Sequence, residues 1–139
     1  TCARVDELIA GGDLNRTLRC EILSFGYKRG IPRESDLVLD VRFLPNPFYV
    51  EELRSQTGND RPVADFICRY PQTFQYLKLE EQLLDFLVPQ YINEGKAQLV
   101  ISVGCTGGQH RSVFIANKLY EFLRERGYSV EITHRDIPK

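Results

Sequence analysis

Strands alternating with helices along one short chain predict an α/β fold: a three-layer sandwich with a small, mainly parallel sheet of about four strands flanked by helices. Three observations carry this. Short apolar runs stand at 20–25, 37–41 and 98–103, helical periodicity fills 72–94 and 111–126, and a last strand pattern follows Gly127. Parallel neighbours need crossover connections, and the two periodic stretches supply them.

Each element has its own local reason. From Cys2 to Gly12, Val5, Leu8 and Ile9 recur at helical spacing and stop at Gly11-Gly12. Cys20–Phe25 reads as a strand closed by Gly26, with the basic loop Tyr27-Lys28-Arg29-Gly30 behind it. Leu37–Val41 is an apolar run with one acid, the pattern of a strand covered on both faces. Pro45-Asn46-Pro47 breaks what precedes it. Residues 49–55 predict a short helix closed by Thr57-Gly58, and another helix starts near Pro62.

Pro71 interrupts, and Gln72–Glu94 then gives the longest helical pattern, with Phe74, Leu77, Leu84, Leu87 and Tyr91 on one face. Pro89 predicts a kink or break inside it. Gln98–Val103 is a second buried strand. Arg111–Arg126 is a helix with Ile115, Leu119, Phe122 and Leu123 inward and Gly127 as its stop, and Ser129–Thr133 is the last strand.

The 139 residues carry no repeat, low-complexity tract or linker, so one domain spans 1–139. Apolar residues make up 42% of the chain, which excludes disorder. Eighteen Lys and Arg against 19 Asp and Glu exclude an overall basic, DNA-coating protein and leave room for a local patch. No apolar run approaches the roughly 20 residues of a membrane span, so no membrane partner is expected. Four cysteines without a CxxC pair argue against structural zinc and a disulfide framework. Reduced thiols in the cytoplasm are the plainer reading, with no metal site. A start at Thr1 rather than Met predicts a piece of a longer protein.

In open α/β sheets ligands sit at the carboxyl ends of strands, which selects the loops after Phe25, Val41 and Val103. The third reads Gly104-Cys105-Thr106-Gly107-Gly108-Gln109-His110-Arg111-Ser112 and runs from a strand into a long helix. A glycine-rich turn there lets consecutive N–H groups converge, and the helix dipole adds positive potential. Arg111 in the first turn can add a bidentate phosphate contact. A phosphate ligand is therefore expected on Cys105, Thr106, Gly107, Gly108, Gln109, His110, Arg111 and Ser112. A tight turn without a ligand is the plain alternative.

Cys105-x5-Arg111-Ser112 also has the spacing of tyrosine-phosphatase-like enzymes, in which a helix N-terminus favours a thiolate nucleophile. On that alternative Cys105 attacks, Arg111 holds the phosphate and Asp40 is the acid. Gly104, where such enzymes usually carry histidine, and the lack of an acid on a mobile loop stand against it; Asp85 lies in a helical pattern. The favoured reading is a binding domain with no catalytic residue.

In the second loop Asp40 and Arg42 can line the same crevice, or simply neutralise each other. Facing the phosphate loop, they suit an amino- or hydroxyl-bearing phosphorylated metabolite. In the first loop, Lys28 and Arg29 with Tyr27 can close over the pocket, touch RNA phosphates and stack a base, or stand in a solvated turn. His110 lies within the cradle and as His⁺ would strengthen anion binding near or below neutral pH. His134 stands beside Arg135 at a strand end, a small basic edge.

SFGYKRG (24–30), DVRFLPNPFYVEELRSQTG (40–58) and GCTGGQHRSV (104–113), in that order, resemble the C-terminal domain of the RapZ/YvcJ family of RNase adapter and nucleotide-binding proteins. The resemblance covers nearly the whole chain. It implies a regulatory binding domain, similar to phosphofructokinase-type ligand domains, that senses glucosamine 6-phosphate. It also implies binding of small regulatory RNA and its presentation to an endoribonuclease. By motif, Asp40 and Arg42 would meet the phosphosugar on one side and 106–112 on the other.

Family members normally add an N-terminal P-loop domain. No GxxxxGK[ST] occurs here, so no cofactor is expected in this chain and the ATP/GTP site belongs to that other domain. Family RNA binding leans on a basic C-terminal tail, whereas this chain ends with two cations and one acid in His134-Arg135-Asp136-Ile137-Pro138-Lys139. Lys28, Arg29, Arg135 and Lys139 are the candidate RNA contacts, and a homodimer is the expected assembly.

Overall fold

The computed structural model describes residues 18–137. The expected opening helix and the candidate RNA contact Lys139 lie outside that range. Four strands, β1 (Arg19–Gly26), β2 (Leu37–Asp40), β3 (Gln98–Cys105) and β4 (Ser129–His134), form one sheet in the order β2-β3-β1-β4. Every pairing is parallel, with Ile22 opposite Ile101 and Ile132, and Asp40 opposite Gly104. Three helices flank the sheet: α1 (Arg61–Cys68), α2 (Pro71–Glu94) and α3 (Arg111–Glu125). This is the α/β arrangement that the alternating pattern predicts.

Period-two alternation explains which strand side chains form the core. Cys20 and Ile22 of β1 and Leu99, Ile101 and Val103 of β3 point to one face, where they join Phe114, Ile115, Leu119 and Leu123 of α3 in one cluster. Predicted inward positions Ile115, Leu119, Phe122 and Leu123 are all buried. Gly127 follows α3 with φ 87°, the left-handed conformation that favours glycine at a helix end. Burial also raises the Cys20 thiol to about 11, so it behaves as an apolar core group.

Three local expectations need correction. β2 is an edge strand paired only with β3, and its residues alternate between half-buried and exposed rather than being covered on both faces. A four-residue apolar run cannot distinguish these cases, and the fully buried Val41 lies just beyond the strand. In place of a helix at 49–55 stand two 3-10 turns, Pro47–Tyr49 and Glu51–Leu53. Val50 between them is extended (φ −102°, ψ 114°) and packs against the core, which splits the segment.

α2 starts on Pro71 and continues through Pro89 without a break. A proline there forfeits one intrahelical bond, and burial of Leu84, Val88 and Ile92 around it holds the helix together. Its inward stripe is Thr73, Leu77, Leu84, Val88 and Ile92; Leu77 and Leu84 are as predicted, while Phe74 is exposed.

Candidate functional site

Parallel strands place their carboxyl ends together, so the segments leaving β1, β2 and β3 meet at one edge of the sheet. They enclose a cavity of about 310 Å³. Lys28 reaches it from the turn after β1. Asn46, Phe48, Tyr49 and Arg54 come from the strap after β2, and Cys105, Thr106, Gly107, Gln109, His110 and Arg111 from the loop after β3. No carboxylate is among these lining residues.

Close backbone approach shapes the loop. A Cβ on Gly26 would stand 2.5 Å from the Gly107 carbonyl carbon and 2.9 Å from the Gly108 nitrogen. Gly108 itself has φ 78° and packs on the backbone of Phe25 and Gly26. Gly104 lies under the rings of Phe25 and Tyr27, with no space for a Cβ. The end of β1 and the loop leading to α3 therefore fit together only with glycine at 26, 104 and 108.

Arg111 and His110 face inward, 4% and 7% exposed. Arg111 Nη1 donates to the carbonyl oxygens of Arg42 at 2.6 Å and Leu44 at 3.1 Å. The His110 ring lies against the carbonyls of Gln56, Arg54 and Leu53. Burial pushes its pKa below the ordinary histidine value, against the opposing pull of those carbonyls, so the ring is neutral at pH 7. The Gly58 N–H donates to the Gln109 carbonyl at 2.8 Å. The loop thus grips the strap 42–58 at three points. Both loop residues still keep a buried nitrogen, His110 Nε2 and Arg111 Nε, without a partner among the described residues.

Cys105 is buried beneath the loop, and its thiol donates to the Ser112 hydroxyl at 3.2 Å. Ser112 is fully buried, so it reaches the cavity only through that thiol. Asp40 and Arg42 form a bidentate pair, with Nη2 to Oδ2 at 2.8 Å and Nε to Oδ1 at 3.0 Å. The Arg42 guanidinium also stacks 3.9 Å from the Tyr27 ring centroid. Arg42's hydrogen bonds hold the Asp40 carboxyl below its usual range despite some burial. Mutual neutralisation, the plainer of the two sequence readings, describes this pair, and neither residue lines the cavity.

The candidate RNA contacts separate. Lys28 belongs to the cavity wall, and its N–H donates to the Thr106 carbonyl at 3.3 Å. Arg29 is exposed beside it. Arg135 is tied to Asp136 at 2.9 Å and to the Gly30 carbonyl at 2.8 Å, while Asp136 accepts the Gly26 N–H at 2.7 Å. His134 is half-buried between the Ser24 hydroxyl (2.7 Å) and Asn117 Oδ1 (3.0 Å). Sequence reasoning missed Asn46, Phe48, Tyr49 and Arg54. The signal available was an Asn-Pro start followed by two adjacent aromatics in a segment too short to bury them.

The fold and the cavity define the class: a parallel α/β domain with a glycine-rich strand-to-helix loop at the carboxyl edge of its sheet. Residues 18–138 match the family model of the RapZ C-terminal domain, and the chain belongs to that family. It is 59% identical to a nucleotide-binding protein of Thermoanaerobacter sp. (strain X514), over 84% of this chain and 41% of that protein. A nucleotide-binding protein of Alkaliphilus oremlandii is 51% identical over 95% of this chain and 46% of its own length. One from Clostridium botulinum is 55% identical over 84% and 40%. The chain therefore spans less than half the length of these curated relatives. Among the described residues, no helix is long and apolar enough to cross a membrane.

Proposed function

We propose that this domain is a regulatory module that binds a phosphorylated small molecule, with its phosphate on the 106–111 loop. The observation that carries the reading is a cavity bounded by a glycine-rich helix start and lined by Lys28, Arg54, His110 and Arg111. Lys28 and Arg54 in the wall, with no carboxylate facing them, favour a negative ligand.

Family membership supports an amino-sugar phosphate such as glucosamine 6-phosphate. Bringing its amine to Asp40 would require the Asp40–Arg42 pair to open. The same membership supports action in the cytoplasm as part of an RNase adapter, binding small RNA for an endoribonuclease, as a homodimer.

Thermal unfolding tests the reading. A ligand at 100 times its dissociation constant stabilises the domain by about 2.7 kcal/mol, so glucosamine 6-phosphate raises the midpoint and inorganic phosphate raises it less. No shift with either rejects the module as a phosphate site. An aryl phosphate is expected to stay intact. Turnover that disappears in Cys105→Ser would instead establish the phosphatase alternative, for which the cavity lining supplies a thiol but no acid.

A further inference from the structure

We infer that an uncovered face of α2 is the docking site for residues 2–12 of the same chain, which lie on it as a helix through Val5, Leu8 and Ile9. This docking is independent of the phosphate site.

The side chains of α2 that stand outside the core fall into two sets. Lys78, Glu81 and Asp85 make up a charged side, where Asp85 pairs with Arg126 just past α3 at 2.9 Å. Leu79, Leu83 and Phe86 make up the other, 59%, 46% and 63% exposed, and among the described residues they take no part in the apolar core. Steps of four and three residues place these three on one stripe of the helix. The exposed positions beside the stripe include the amides Gln75, Gln82 and Gln90, so no charge interrupts it. Single exposed apolar side chains are ordinary on a protein surface, whereas a contiguous charge-free stripe marks a contact.

Residues 2–12 fit this face on three counts. Val5, Leu8 and Ile9 recur at helical spacing while Arg4, Asp6 and Glu7 fall on the opposite side, so the segment has an apolar stripe of its own to cover. The Arg19 N–H donates to the Ala97 carbonyl at 3.0 Å, so residues 1–17 meet the sheet just past Gly95, the residue that caps α2. From there residues 13–17 reach up to about 17 Å, and Phe86 stands about 14 Å back along α2 from Gly95. Size decides between this segment and a separate protein. Three side chains offer far less than the roughly 800 Å² that each partner buries in a stable complex, and a tethered segment, held at high effective concentration, does not need that area.

Hydrogen exchange on the 139-residue chain tests this. An isolated helix of this length is marginal in water, so protection of amides 5–9 reports docking. Those amides are expected to exchange about tenfold or more slowly than an unstructured chain, equally at low and high protein concentration. Leu79→Gln/Phe86→Gln is expected to return them to the unstructured rate. The amides of β1 and β3 stay protected in that variant and report that it is folded. Unprotected amides at 5–9 in the parent, or protection that survives the double substitution, overturn the docking. Protection that fades on dilution overturns it too, and assigns the stripe to a second copy of the chain.

Discussion

Arg111 Nη1 donates to the backbone carbonyl of Arg42 at 2.6 Å, so the arginine at the end of the glycine-rich loop holds down the strap across the cavity. A second bond from the same nitrogen, to Leu44 at 3.1 Å, makes the tie double. The arginine therefore has a structural task in addition to any contact with an anion.

The first prediction separates those tasks. Arg111→Ala leaves two carbonyls without their donor, at about 1–3 kcal/mol for each group that stays buried. Its unfolding midpoint in phosphate-free buffer is expected to fall. An arginine that served the anion alone would leave that midpoint unchanged, and such a result would remove the structural role.

How far the sequence reveals this site follows from the range of the interactions. The β3–loop–α3 unit is legible because its apolar run, its glycines and the periodicity of α3 are all local, and the structure gives them as read. The inward turn of His110 and Arg111 is not legible, since it depends on the strap arriving from sixty residues earlier in the chain to supply carbonyls. Asp40 and Arg42, two residues apart, can pair locally, and they do; no sequence pattern decides between that pair and a ligand. Phe48 and Tyr49 carry no period, so their placement on the cavity wall comes only from the two 3-10 turns. For β2, the run of Leu37 to Val41 says apolar without saying which face, and an edge position followed.

Gly26→Ala is the second prediction. Its Cβ would meet the Gly107 carbonyl carbon at 2.5 Å, and the obstacle is backbone, which cannot rotate aside. Overpacking of this kind costs about 1–3 kcal/mol and displaces the loop. Stability and phosphate affinity are expected to fall together. Gly107→Ala, where a Cβ meets nothing within 4 Å, is the control that keeps stability near that of the parent. Equal stability of both variants, measured by urea unfolding, would show that the contact between β1 and the loop is not tight.

The third prediction concerns pH. Burial lowers the pKa of both His134 and His110 in the folded state, so the unfolded chain binds more protons below the ordinary value near 6.5. Their contribution is complete above that value and declines as the pH falls below it toward the lowered folded values. The neutral His134 ring links Ser24, at 2.7 Å, to Asn117, whose amide donates in turn to Asn59 at 2.8 Å. Urea midpoints are expected to drop between pH 7.5 and 5, with a shallower drop in His134→Gln. A drop of the same depth in that variant would place the sensitivity elsewhere.

Arg135 supplies the last prediction, because its pairing distinguishes it from the other candidate RNA contacts. Its guanidinium spans Asp136 and the Gly30 carbonyl, and Asp136, nearly buried, accepts the Gly26 N–H beside the glycine-rich loop. Arg135→Gln removes the cation from that carboxylate. The expected cost, discounted for the partial exposure of the arginine, is about 1–2 kcal/mol. Arg29 is exposed, so Arg29→Gln leaves stability unchanged. Each phosphate contact on single-stranded RNA contributes about 0.7 to the slope of log affinity against log salt. Arg29→Gln is therefore expected to reduce that slope by about this amount, and Arg135→Gln to leave it as it was. A slope that falls equally in both variants would show that Arg135 leaves Asp136 to hold a phosphate. The Asp136 carboxylate would then lose its stabilising cation whenever RNA is bound, and the Gly26 contact under the loop would report RNA at the ligand cavity.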